Sequence, residues 1–186
     1  MEIHLIRHPV PDIPLGICYG QSDIGIVEPA AAAAERLRPH LPAQYDLYAS
    51  PLKRARLLAE ELGTPQLDTR LKEINFGAWE MQPYGDLGAA LDDWLNDPMG
   101  FRAPGGESVQ EMANRALDWL TEQQAYHAAS PGQPVVVVAH GGPLRALAGH
   151  LLGLPPEHWL GLDFACAHST CLEIKPWGTL LKWFNR

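Results

Sequence analysis

The chain has 186 residues, 46% apolar and 19% charged, with a formal net charge of -8. That suffices for one ordinary domain with a real core and argues against disorder. The acidic balance excludes nucleic acid and anionic membrane surfaces as default partners, yet leaves room for a cationic pocket that takes a small phosphorylated substrate.

No window approaches the ~20 apolar residues needed to cross a bilayer. Met1-Glu2-Ile3-His4 has neither a basic region nor a long apolar stretch behind it, so no signal peptide is expected. Cys18, Cys166 and Cys171 form no Cys-x-x-Cys pair, so free thiols are expected rather than disulfides or a zinc site. A cytoplasmic location fits that usage. Without repeat or linker, residues 1–186 are expected to form a single domain.

In chain order, residues 2–6 read as a strand and 9–27 as a loop rich in Pro and Gly. Pro29 opens an alanine-rich helix to about Arg38. Tyr45 to Ala49 is a short strand, and Ser50-Pro51 reads as N-cap and first position of a helix ended by Gly63. Residues 64–78 hold short extended pieces. Residues 79–106 mix aromatics with Pro and Gly and are expected to form a variable, lid-like segment. Ser108-Val109-Gln110-Glu111 is a capping box for a helix to about Tyr126. Residues 135–139 are a strand buried on both faces, Pro143 starts a helix ending at Gly153, and 163–184 reads as two strands turning at Pro176-Trp177-Gly178. Alternating strands and helices predict a three-layer α/β/α sandwich on a mostly parallel sheet.

Two strands deliver a histidine at their C-terminal ends: Ile3–Ile6 runs into Arg7-His8, and Val135–Ala139 into His140-Gly141-Gly142. Ligands of open α/β sheets bind beyond those ends. A neutral imidazole with one free nitrogen can attack phosphorus, and Arg7 offers a fork of donors to phosphate oxygens. Arg54 lies in a helix's first turn between Lys53 and Arg56, where cations oppose the macrodipole, a broken local rule that points to a bound anion. Gly141 and Gly142 let backbone approach a ligand, and the following helix offers free N–H groups to an anion, with Arg145 in its first turn. Glu73 and Glu80 sit among apolar residues, and the residues alone do not decide which of them is a general acid.

Together, Leu5-Ile6-Arg7-His8, Ala49–Ala55, Leu71-Lys72-Glu73 through Phe76-Gly77, Pro104–Ser108 and Val138–Gly142 resemble, in order, the histidine phosphatase (phosphoglycerate mutase-like) superfamily. The resemblance implies that His8 is the nucleophile that becomes phosphohistidine. It implies that Arg7, Arg54 and an imidazolium at His140 hold the phosphoryl oxygens, and that Glu73, rather than Glu80, is the acid. Gly141 and Gln21 are expected to contact substrate. No acidic cluster for Mg²⁺ is evident, so no metal or cofactor is expected and positive charge suffices for a loose transition state. Two positions depart from the family pattern: Pro9 replaces the glycine after the nucleophile, and Met81 the glycine common after Trp79-Glu80.

Within the superfamily, Pro9-x-Pro11 with Gly16–Asp23 resembles the α-ribazole phosphatases of cobalamin synthesis. Trp79, Tyr84, Trp94 and Phe101 could stack a benzimidazole ring or pack a core. The alternatives are a sugar-phosphate or phosphoglycerate phosphatase of the same mechanism, a mutase, or a non-catalytic phosphate-binding module. Oligomeric state is left open.

Overall fold

The computed structural model describes residues 1–129 and 132–186. Its strands are β1 (Glu2–Arg7), β2 (Asp46–Ala49), β3 (Gln66–Leu67), β4 (Val135–Ala139), β5 (Ser169–Lys175) and β6 (Gly178–Trp183). Its α-helices are α1 (Ala30–Leu37), α2 (Lys53–Leu62), α3 (Ala89–Asn96), α4 (Val109–Ala129) and α5 (Gly141–Leu151). The strands form one sheet in the order β3-β2-β4-β1-β5-β6. β3, β2, β4 and β1 run parallel, and the β5–β6 hairpin adds an antiparallel edge.

The layers follow from the two-residue period of the strands. Val135, Val137 and Ala139 face one way with Ile3 and Leu5, beneath Trp119 and Leu120 of α4 and Leu144 and Leu147 of α5. Val136 and Val138 face the other way with Ile6, beneath α1 and α2. All of β4 is buried on both faces, as its unbroken apolar run requires. Each fully buried aliphatic side chain there contributes roughly 1.5–3 kcal/mol. α4 meets the sheet through Ala116, Trp119 and Leu120, part of a buried helical stripe, and its capping box is closed by Ser108 and Glu111.

Three helices differ from expectation in where they begin or end. α2 begins at Lys53 rather than after a Ser50 cap, because the carboxylate of Asp23 accepts the Lys53 amide at 2.6 Å and covers that helix end. α5 begins at Gly141 rather than Pro143 and ends at Leu151, and α4 runs on to Ala129. Segment 79–106 contains α3, which has no buried residue. Beside it, Phe76-Gly77 packs on Pro104–Gly106. Gly77 has φ +51°, and a Cβ there would stand 2.3 Å from the Pro104 carbonyl oxygen, so two distant motifs meet only through glycine. No helix among the described residues is long and apolar enough to cross a membrane.

Candidate active site

β1 and β4 are parallel neighbours with Arg7 opposite Ala139, so the next residue of each, His8 and His140, emerges level with the other. Their rings lie 5.1 Å apart. β2 ends beside them and delivers Ser50, whose hydroxyl lies 2.7 Å from His140 Nε2. The residue expected to cap a helix instead orients a histidine ring. His8, Arg54 and His140 are 1%, 0% and 0% exposed.

The His8 Nδ1–H donates to the Pro9 carbonyl at 2.6 Å, which fixes the tautomer and leaves Nε2 with its lone pair. Pro9 lacks an N–H, but its carbonyl performs this orienting task. Burial, then the charges of Arg54 and Arg7, push the His8 pKa down to about 3 against the pull of the Pro9 hydrogen bond. His8 is therefore a neutral base at ordinary pH. His140 is also held well below the usual histidine range by burial, followed by His8 and Arg54. Burial and the neighbouring cations oppose a positive charge on His140, so the expected imidazolium requires an anion beside it.

Arg7 donates from Nη1 to the Phe164 carbonyl at 2.7 Å, and Arg54 donates to the carbonyls of Gly20 and Ser22 at 2.6 and 2.9 Å. Tyr19 lies over the Arg54 guanidinium at 5.0 Å. Arg7 Nε, Arg54 Nε and His140 Nδ1 are buried without a partner among the described residues. Orphaned polar atoms on two guanidiniums and an adjoining imidazole mark a place for an anion.

The two candidate carboxylates separate by their partners. Glu80 accepts from Gln21 N (2.8 Å), Phe76 N (3.2 Å) and Ser22 Oγ (2.5 Å), so it braces the loop whose carbonyls hold Arg54. Glu73 lines a cavity of about 240 Å³ together with Arg7, Tyr19, Gly142 and Arg145. It accepts the Gly142 amide on both oxygens at 3.1 and 3.2 Å. A Cβ on Gly142 would stand 2.2 Å from Glu73 Oε1, so any larger residue there would push the carboxylate aside. A Cβ on Gly141 would stand 3.1 Å from Arg145 Nη1 and 3.7 Å from Arg7 Cζ. Gln21 joins both carboxylates: its side-chain amide donates to the Glu73 carbonyl at 3.0 Å and its backbone amide to Glu80.

Arg115 and Glu107 escaped notice in the sequence. Arg115 bonds Glu107 through two nitrogens and donates to the carbonyls of Arg70, Lys72 and Glu73, fixing the backbone that carries Glu73. Glu107 stood in a recognised motif without a role, and an arginine on the polar side of a long helix carries no local signal. Among the aromatics, Trp79 and Phe101 stack at 5.1 Å in a small core with Cys18 and Ala103, whereas Tyr84 and Trp94 reach the cavity. The cysteines are free, and Cys171 lies with Glu2 and His4 in a cluster of donor atoms within 4.8 Å near the start of β1, away from His8.

The family model for the histidine phosphatase superfamily (branch 1) matches residues 3–186. A glucosyl-3-phosphoglycerate phosphatase of Mycolicibacterium vanbaalenii is 37% identical over 151 residues, 74% of this chain and 65% of that relative. Phosphoserine phosphatase 1 of Hydrogenobacter thermophilus is 30% identical over 91% of this chain and 84% of its own length. The crystal structure of the α-ribazole phosphatase from Shigella flexneri superposes with a TM-score of 0.89 at 24% identity, covering 100% of this chain and 96% of that one, which shows a shared fold. With its ordered motifs and nearly its whole length matched, this chain belongs to the histidine phosphatase superfamily.

Proposed function

We propose that the protein is a phosphomonoesterase working through a phosphohistidine at His8, with α-ribazole 5'-phosphate, hydrolysed to α-ribazole in cobalamin biosynthesis, as its substrate. The observation that carries the chemistry is the tautomer lock on His8, which leaves a neutral, buried Nε2 beside two guanidiniums. His8 Nε2 bonds to phosphorus while the ester P–O bond breaks, and the Glu73 carboxyl gives its proton to the leaving oxygen. Water then attacks the phosphorus, Glu73 takes the water proton, and the P–N bond breaks to return His8 and release phosphate. Arg7, Arg54 and His140 hold the phosphoryl oxygens throughout, supplying charge where it spreads in a loose transition state. An incoming phosphate dianion favours protonation of His140, turning a neutral donor into a cation when it is needed.

The α-ribazole reading rests on the cavity beside Glu73, where Phe76, Tyr84, Trp94, Met99 and Trp159 suit a flat apolar leaving group. A second reading, glucosyl-3-phosphoglycerate, is favoured by Arg145 in the same wall, a guanidinium suited to a carboxylate, and by the function named for the mycobacterial relative. Phosphate release from both esters and a panel of others, after exhaustive chelation, tests the proposal. A tenfold preference in kcat/KM, about 1.4 kcal/mol of transition-state discrimination, assigns the substrate. Strict metal dependence, or full turnover by His8→Ala, refutes the mechanism.

A further inference from the structure

Two cavities share a wall to which Trp94 belongs. The one beside Glu73 is about 240 Å³, and the second, of about 320 Å³, is lined by Phe76, Trp79, Tyr84, Leu91, Trp94 and Leu95. Phe76, Tyr84 and Trp94 belong to both walls. The inner side of the second cavity is firm: Trp79 is buried and stacks on Phe101 at 5.1 Å and on Phe76 at 6.4 Å. Its outer side is α3, which contributes Leu91, Trp94 and Leu95 and has no buried residue of its own. A cavity with a rigid aromatic floor and a loosely packed helical roof can admit a ring by a small movement of the roof.

The Trp94 indole nitrogen is buried without a partner among the described residues. An enclosed N–H without an acceptor is costly, and native structures rarely leave one without a reason. Tyr84 lines the same wall yet gives it no acceptor. The cations Arg7 and Arg145 line the wall of the first cavity and are absent from the second, so the annex suits a neutral group.

We infer that Trp94 and the apolar cavity beside it form the leaving-group subsite, which takes a neutral planar heterocycle and donates the Trp94 N–H to an acceptor on that ring. This rests on the phosphomonoesterase reading above and adds a residue that sets specificity without joining the chemistry. The stacked Phe76-Trp79 wall supplies the flat surface, while Arg7 and Arg145 remain at the phosphoryl end.

The test is calorimetric titration of wild type, Trp94→Phe and Leu91→Trp with α-ribazole, beside kcat/KM for β-glycerophosphate, a ring-free ester. Trp94→Phe keeps the ring and removes one neutral hydrogen bond, so α-ribazole should bind about 2–12-fold more weakly. Leu91→Trp fills the annex from an exposed helix and should weaken binding more than tenfold. β-Glycerophosphate turnover should stay within twofold in Leu91→Trp, whose side chain lines the second cavity and not the first. Unchanged α-ribazole affinity in both variants, no measurable binding to wild type, or a parallel fall in β-glycerophosphate turnover by Leu91→Trp would each overturn the subsite. Failure of wild type to release phosphate from any ester would instead strike the parent reading, because titration with the unphosphorylated product reports on the subsite directly.

Discussion

Replacing Gly142 by alanine probes the acid without replacing a charged group. The added Cβ would lie 2.2 Å from Glu73 Oε1 and 3.1 Å from the Met112 methyl. Ordinary contact requires the carboxylate to withdraw by about 1 Å, and a misplacement of that size costs on the order of 10²-fold in rate, about 2.7 kcal/mol. Global stability should change little, since alanine is favoured over glycine within a helix by about 1 kcal/mol and offsets part of the local strain. The assay is rapid-quench measurement of phosphohistidine formation in a single turnover. With α-ribazole 5'-phosphate, whose alkoxide needs a proton to leave, the rate should fall about 10²-fold; with p-nitrophenyl phosphate, whose phenolate leaves unaided, it should barely change. Equal losses for both esters, or none for either, would refute the assignment of Glu73 as the acid.

Glu73→Gln should show the same dependence on leaving group, whereas Glu80→Gln should leave it unchanged and lower the unfolding free energy by about 1 kcal/mol, the difference between charged and neutral hydrogen bonds; chemical denaturation together with the quench assay checks both halves. Acidification should destabilise the protein early. His8 is held at about 3 when folded and His140 well below its ordinary value, so between pH 6.5 and 3 the unfolded chain binds more protons. Stability should then fall with decreasing pH by up to about 1.4 kcal/mol per unit for each group, and the melting temperature of His8→Asn should decline less steeply than that of wild type; identical slopes would show that His8 is not buried neutral. Met81 has φ 65°, a left-handed conformation that disfavours any side chain. Met81→Gly should raise the urea midpoint by the equivalent of up to about 1 kcal/mol, and a lowered midpoint would place the cause of that conformation elsewhere.

The frame of the site was legible because its signals are local. An apolar run ending in histidine is visible in a few residues, and the order of the motifs added the family. What stayed hidden depends on partners far along the chain. Glu73 and Glu80 look alike in sequence; one receives Gly142, 69 positions away, and the other receives Gln21 and Ser22. Ser50-Pro51 has the chemistry of a helix start, yet Asp23 accepts the first helical amide while the Ser50 hydroxyl accepts the Leu52 amide and also meets His140, 90 positions on. The family pattern implies an imidazolium at His140, whereas burial among cations, which only the fold shows, makes that charge depend on an anion beside it. Arg115 could not be singled out because its importance lies in carbonyls that only the folded chain gathers.

The pairing of β1 with β4 has an evolutionary consequence. His8 and His140 arrive level only in the register that sets Arg7 opposite Ala139, and the same register sends Val135 and Val137 to one layer and Val136 and Val138 to the other. A residue inserted into either strand would part the histidines and also turn apolar side chains toward the wrong helices. Purifying selection against misfolding therefore guards the spacing of the reactive pair even in lineages where the reaction is under no demand. The exposed α3 carries no such burden. Its side chains can drift and duplicate copies can diverge in what they accept, while the apparatus that handles phosphorus is inherited intact.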